Sequence, residues 1–131
     1  MNFKLSTKEK FSQIELDEPQ LSANMTAQMA ELLSECMKKP EKNLVMSLQG
    51  VNVIDKSIAL LLLDWQTSYY EQRQSFVICH LEPEIENAWD EDGLLEQLNV
   101  TPTLSEAWDI VQMEEIEREL FADYDENEGA E

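Results

Sequence analysis

Two short stretches with few polar side chains, Leu44 to Leu48 and Phe76 to Cys79, bracket an amphipathic run that follows Asp55 and is carried by Ile58, Leu61, Leu62, Trp65 and Tyr69. Strands this apolar are expected to be covered on both faces. Two of them joined through one helix form a β-α-β unit with a right-handed crossover. This arrangement constrains the chain more than any other feature, because it requires a mostly parallel sheet with helices packed on it. Between the first strand and the helix lies a corner: Gly50 closes the strand, and Val51, Val53 and Ile54 give way to Asp55. The Asp55 carboxylate suits an N-cap, so Lys56 and Ser57 are expected at an exposed helix N-terminus. The helix is expected to reach about Gln72, and its second apolar stripe, Ala59, Leu63 and Tyr70, must meet another helix or a partner.

The remaining segments extend the pattern. Phe3, Leu5 and Thr7 alternate with polar residues, and Phe11 to Leu16 forms a second strand after a Lys8-Glu9-Lys10 turn. Together they predict an N-terminal hairpin. Asp17 to Gln20 reads as a break, since Pro19 turns Glu18 away from helix. Ser22 is a plausible cap for a helix carrying Met25, Met29, Leu32, Leu33 and Cys36, with Pro40 stopping it. Pro83 opens a third helix with Ile85, Ala88 and Trp89 inside, and Gly93 is its expected C′ residue. Leu94, Leu95 and Leu98 pack a short segment, and Asn99 to Pro102 adds an edge strand. Thr103 to Glu106 matches a capping box; the last helix carries Leu104, Ala107, Trp108 and Val111, with Ile116 and Leu120 as further members. The expected fold is α/β and single-domain over residues 1–121, with a mixed, mostly parallel sheet of about 4–5 strands, an N-terminal hairpin and about four helices. Residues 122–131 read as an acidic, frayed tail.

The chain has 131 residues and a net charge of −19, from 9 basic and 28 acidic side chains. Such a field repels phosphate backbones and anionic membrane surfaces, which excludes nucleic acid as an expected partner. It favours solubility and, more specifically, a basic partner surface. Cys36 and Cys79 lack zinc-ligand spacing and are expected as buried free thiols of a reducing compartment. No apolar h-region occupies Met1 to Lys10, and the apolar run Ile58 to Leu63 is too short to span a bilayer. These features point to a cytoplasmic protein without membrane insertion.

No constellation points to catalysis, a metal or a cofactor. His80, the single histidine, ends a strand with no nucleophile motif beside it and reads as structural. Asp90, Glu91 and Asp92 read as a solvated charge run. Asp123, Asp125 and Asn127 imitate the start of a calcium loop, but Gly129 falls one position late and no bidentate acid follows. Three scattered glycines allow neither a P-loop nor a dinucleotide turn. The three tryptophans are expected in the core.

From about Phe11 to Val111 the chain resembles a STAS domain, the fold of bacterial anti-sigma factor antagonists. The run Leu44 to Asp55 is similar to that family's strand followed by a Gly-Val-x-x-Ile-Asp corner, after which the family has Ser-Ser-Gly or Ser-Thr-Gly and an apolar helix. Phe76 to Cys79 is similar to its next strand and Glu82-Pro83-Glu84-Ile85 to its Ser-Pro-x-Val helix start. Gly93-Leu94 is similar to its x-Gly-Leu, and Leu104 with Glu106-Ala107 to its Leu-x-Glu-Ala.

The resemblance implies a non-catalytic binding module of transcription regulation and signalling. In the family a serine kinase, the anti-sigma factor, phosphorylates the residue after the corner Asp, and the unphosphorylated form binds that partner. Here Lys56 stands at the phosphorylated position and Ile58 at the small Gly, while Asp55 and Ser57 match. Either Ser57 takes over as the phosphorylation site, or the protein binds without this control, which the motif fits better. The expected partner-binding residues are Asp55, Lys56, Ser57, Ala59 and Leu63, with Gln20 to Asn24 contributing. The expected partner is an anti-sigma factor or a similar serine-kinase regulator. Alternatively the chain is a cytosolic STAS-type subunit of a membrane transport complex docking on a transporter ATPase, which requires no phosphorylated Ser. Oligomeric state is left open, a homodimer included.

Overall fold

The computed structural model describes residues 1–41 and 43–129, the last eight of these in backbone only. The chain runs β1 (Phe3–Thr7), β2 (Phe11–Leu16), β3 (Gln20–Leu21), a 3₁₀ turn (Ala23–Met25), α1 (Thr26–Met37), β4 (Asn43–Ser47) and β5 (Val53–Ile54). It continues with α2 (Lys56–Glu71), β6 (Phe76–Cys79), α3 (Pro83–Glu91), α4 (Leu94–Gln97), β7 (Val100–Thr101) and α5 (Leu104–Gly129).

Five strands form one sheet in the order β1-β2-β4-β6-β7. Only the β1–β2 hairpin is antiparallel; β2–β4, β4–β6 and β6–β7 are parallel. The expected mixed sheet, hairpin and edge strand are all present. Alternation along the central strands divides the core. Leu44, Met46, Phe76 and Ile78 face the layer built from α1, α2 and α3, including Met29, Leu33, Ile58, Leu62 and Trp89. Val45, Val77 and Cys79, with Phe11, face Ala107 and Val111 of α5. Both faces of β4 and β6 are therefore dry, which is why neither strand carries a charged side chain.

Two features differ from the sequence reading. The stretch read as a plain break contributes β3, which pairs in parallel with β5 as a second, two-stranded sheet (Gln20 beside Val53, Leu21 beside Ile54). A two-residue strand has no periodicity to read. Trp108 is exposed, in contrast to the buried Trp89: it lies about 100° around α5 from Ala107, off the inward face. The helical backbone of α5 runs to Gly129. The side chains of 122–129, and Ala130 and Glu131, lie outside the described residues.

Polar side chains lock the layers. Asn43 Nδ2 donates to Glu115 Oε1 (2.6 Å) and to the Lys10 carbonyl (2.9 Å), while Asn43 Oδ1 accepts from Ser75 N–H (2.7 Å). Arg118 donates to Ser75 Oγ (3.1 Å) and Asn43 Oδ1 (3.2 Å). The middle of α5 is thereby tied to the starts of β4 and β6. Tyr70 donates its hydroxyl to Glu114 (2.7 and 2.8 Å), so part of the second stripe of α2 meets α5. Tyr69 is fully buried and donates to the Leu33 carbonyl at 2.7 Å, and its ring stands edge-on to Phe76 at 5.3 Å.

Candidate functional site

The corner is built by a short chain of local constraints. Leu48 to Val51 closes a turn, with Val51 N–H donating to the Leu48 carbonyl (3.1 Å) and Gly50 at φ +84°. That positive φ at the third turn residue favours glycine. Gly50 N–H also donates to Glu82 Oε1 at 3.0 Å, joining the corner to the start of α3. On the other side, Asn52 N–H donates to the Pro19 carbonyl and Asp55 N–H to the Leu21 carbonyl, each at 2.8 Å. The β3–β5 pair thus fixes the approach to α2 and sets the Gln20–Asn24 segment beside it.

Asp55 is the N-cap of α2 in extended conformation. Its Oδ2 accepts from Ser57 N–H at 3.0 Å and from the Ser57 hydroxyl. The hydroxyl bond, then the backbone bond, holds the Asp55 carboxyl below the usual carboxylate range. Asp55 and Lys56 are exposed and Ser57 is half-buried, so the first turn of α2 is open to a neighbouring molecule.

The residues expected to bind a partner do not share one environment. Ala59 is 1% exposed and packs in the core, leaving no side chain free for docking. Leu63 is half-buried and leans on the core. Leu60, one turn after Lys56, is 43% exposed, and Val53 is 52% exposed. Sequence reasoning missed both. The signal for Leu60 was its i+4 spacing from Lys56; the exposure of Val53 follows from a β3–β5 pair that covers only one of its sides. A hollow of about 230 Å³ adjoins the corner, lined by Val53, Lys56, Ala59, Glu84, Ala88 and Trp89 among others. One wall is the cationic first turn of α2, and the other is acidic α3.

The other sequence candidates are structural. His80, at φ +59°, has Nδ1 3.0 Å from Ser47 Oγ. Cys36 and Cys79 are free and buried, and burial pushes the Cys79 thiol up to about 11. Among the described residues no group of three or more His, Cys, Asp or Glu side chains could hold a metal ion. Likewise, no described helix is long and apolar enough to cross a membrane.

A family model described as the STAS domain matches residues 2–107. The chain belongs to the STAS domain family. The match contains both sheets, the corner and the first turn of α5. A STAS domain protein from Planctomyces limnophilus, described as an anti-sigma-factor antagonist, is similar with 18% identity and a TM-score of 0.68, covering 80% of this chain and 92% of its own. The phosphorylated form of the Bacillus cell fate determinant SpoIIAA is similar at 17% identity and TM-score 0.61, covering 84% and 99%. The murine anion transporter Slc26a9 contains a similar region, at 15% identity and TM-score 0.63, covering 79% of this chain and 18% of the transporter. These likenesses concern the fold. A comparison with curated proteins gave no match.

Proposed function

We infer that the protein is a non-catalytic binding module of the anti-sigma factor antagonist type, which docks a protein partner through the first turn and outer stripe of α2. The observation that carries this reading is the exposed Asp55-Lys56 corner, braced on one side by β3 and on the other by Glu82. Lys56, Leu60 and the half-buried Leu63 form one outward stripe with Val53 beside it, and the Gln20–Asn24 segment adds an edge. Ala59 contributes only as packing beneath this surface. An anti-sigma factor or a similar serine-kinase regulator in the cytoplasm is the partner class this family likeness supports.

The partner is bound without the usual phosphorylation control. Lys56 occupies the phosphorylated position and has no hydroxyl. The Ser57 hydroxyl is engaged with the Asp55 carboxylate, and a phosphate there would bring roughly two further negative charges against it. The second reading, a cytosolic subunit docked on a transporter ATPase, draws on the same cation at Lys56 and on the similar region within Slc26a9.

The test is capture of the partner from the native cell extract by the wild-type chain and by Lys56→Glu and Leu60→Asp. Both substitutions are expected to abolish recovery, and an intact complex with both would overturn the assignment. Recovery of a sigma regulator supports the first reading, and a transporter ATPase the second. Detection of phosphate on Ser57 in cell-derived protein would refute binding without that switch.

A further inference from the structure

The distal half of α5 carries a surface that the core does not use. Ala107 and Val111 are buried, and Glu114 and Arg118 continue the same inward face through their bonds to Tyr70, Ser75 and Asn43. Those bonds fix the roll of the helix. Met113, Ile116 and Leu120 then stand on the opposite side, between 55% and 64% exposed. Phe121, also exposed, lies about 100° further round, beside a hollow lined by Tyr70, Glu114 and Arg118. Scattered exposed apolar residues are ordinary, but three on one stripe within about two turns are not. The i, i+3, i+7 spacing of the first three is that of a helix packing lengthwise on another. The family match ends at residue 107, so this surface lies outside it.

Charge selects the occupant. With Met113 and Leu120 as successive seam positions and Ile116 between them, Glu117 and Glu119 take the two positions that border the seam, where charge sets partner choice. A second copy paired antiparallel would set Glu117 against Glu117 and Glu119 against Glu119, and each chain carries −19. We propose that the outward face of α5, centred on Ile116, docks an amphipathic helix of a different protein whose apolar seam is bordered by Lys or Arg. The site is independent of the corner: α5 lies on the opposite face of the sheet from α2.

The full chain is titrated with two fluorescent helical peptides that share a Leu/Ile seam, one bordered by Lys and the other by Glu. The Lys peptide is expected to bind, and more weakly as salt rises. Ile116→Asp and Leu120→Asp are each expected to weaken it by about tenfold or more. The double variant Glu117→Lys/Glu119→Lys is expected to reverse the preference between the peptides. Circular dichroism of each variant should match the wild type, because the altered side chains are exposed. Equal binding of both peptides, undiminished binding by Ile116→Asp and Leu120→Asp, or no binding would each overturn the proposal. So would a dimer in sedimentation equilibrium that Ile116→Asp dissociates, which would make a second copy the occupant.

Discussion

Asp55 illustrates how one side chain serves structure while facing solvent. Its carboxyl is held below the usual range by Ser57, so the folded state favours the ionised form. The resulting stabilisation is complete above the unfolded value, about pH 4, and disappears as pH falls through the lower folded value. Asp55→Ala is therefore expected to unfold at lower temperature than wild type at neutral pH, with the gap narrowing in acid. Asp55→Asn, which keeps a capping oxygen without the charge, should lie between; thermal unfolding across the pH range checks both. Asn43 is the contrasting buried case, since its amide satisfies groups on three separate segments. Asn43→Ala should cost roughly 1–3 kcal/mol in urea unfolding, because Ser75 N–H loses its acceptor away from water.

At the scale of elements, α2 shows two faces with different duties. Leu62 is fully buried between the sheet and α1, whereas Leu60 projects outward. Leu62→Ala is expected to destabilise by about 2–5 kcal/mol, and Leu60→Ala by no more than about 0.5 kcal/mol. A denaturant series on the two variants separates packing from presentation. Between α3 and α4, Gly93 sits at φ +76° with open space where a Cβ would project. Gly93→Ala should therefore cost roughly 1–2 kcal/mol through backbone strain alone, with no clash to add.

Over the whole molecule, the dry faces of β4 and β6 determine how the protein meets its surroundings. Cys36 and Cys79 are sealed within them, and burial raises both thiols above their usual range. Alkylation at mildly alkaline pH is expected to be far slower than for a free thiol and to accelerate with the onset of urea unfolding, since reaction requires opening of the core. Rapid labelling in native buffer would contradict the packing described for these strands. The two proposed contact regions lie on layers separated by this sheet, so loss of one by substitution should leave the other intact.

Much of the fold was legible in the sequence because its cues are local. Apolar runs marked β4 and β6, Asp55 and Thr103 marked the starts of α2 and α5, Pro83 marked the start of α3, and Gly93 marked its end. The corner was legible for the same reason: a strand, a glycine turn and a capping acid follow one another within a dozen residues. Tertiary structure alone settled what depends on residues far apart in the chain. The pairing of β3 with β5 was invisible because two residues carry no period, yet it aims the corner. Ala59 and Leu60 are neighbours with similar propensities, and only the position of the sheet assigns one to the core and the other to the surface. The roll of α5, and with it the exposure of Met113, Ile116 and Leu120, rests on hydrogen bonds to Asn43 and Ser75, which span over 40 residues of sequence. Periodicity specifies that a helix has faces; which face turns inward is set by partners that the chain brings together only on folding.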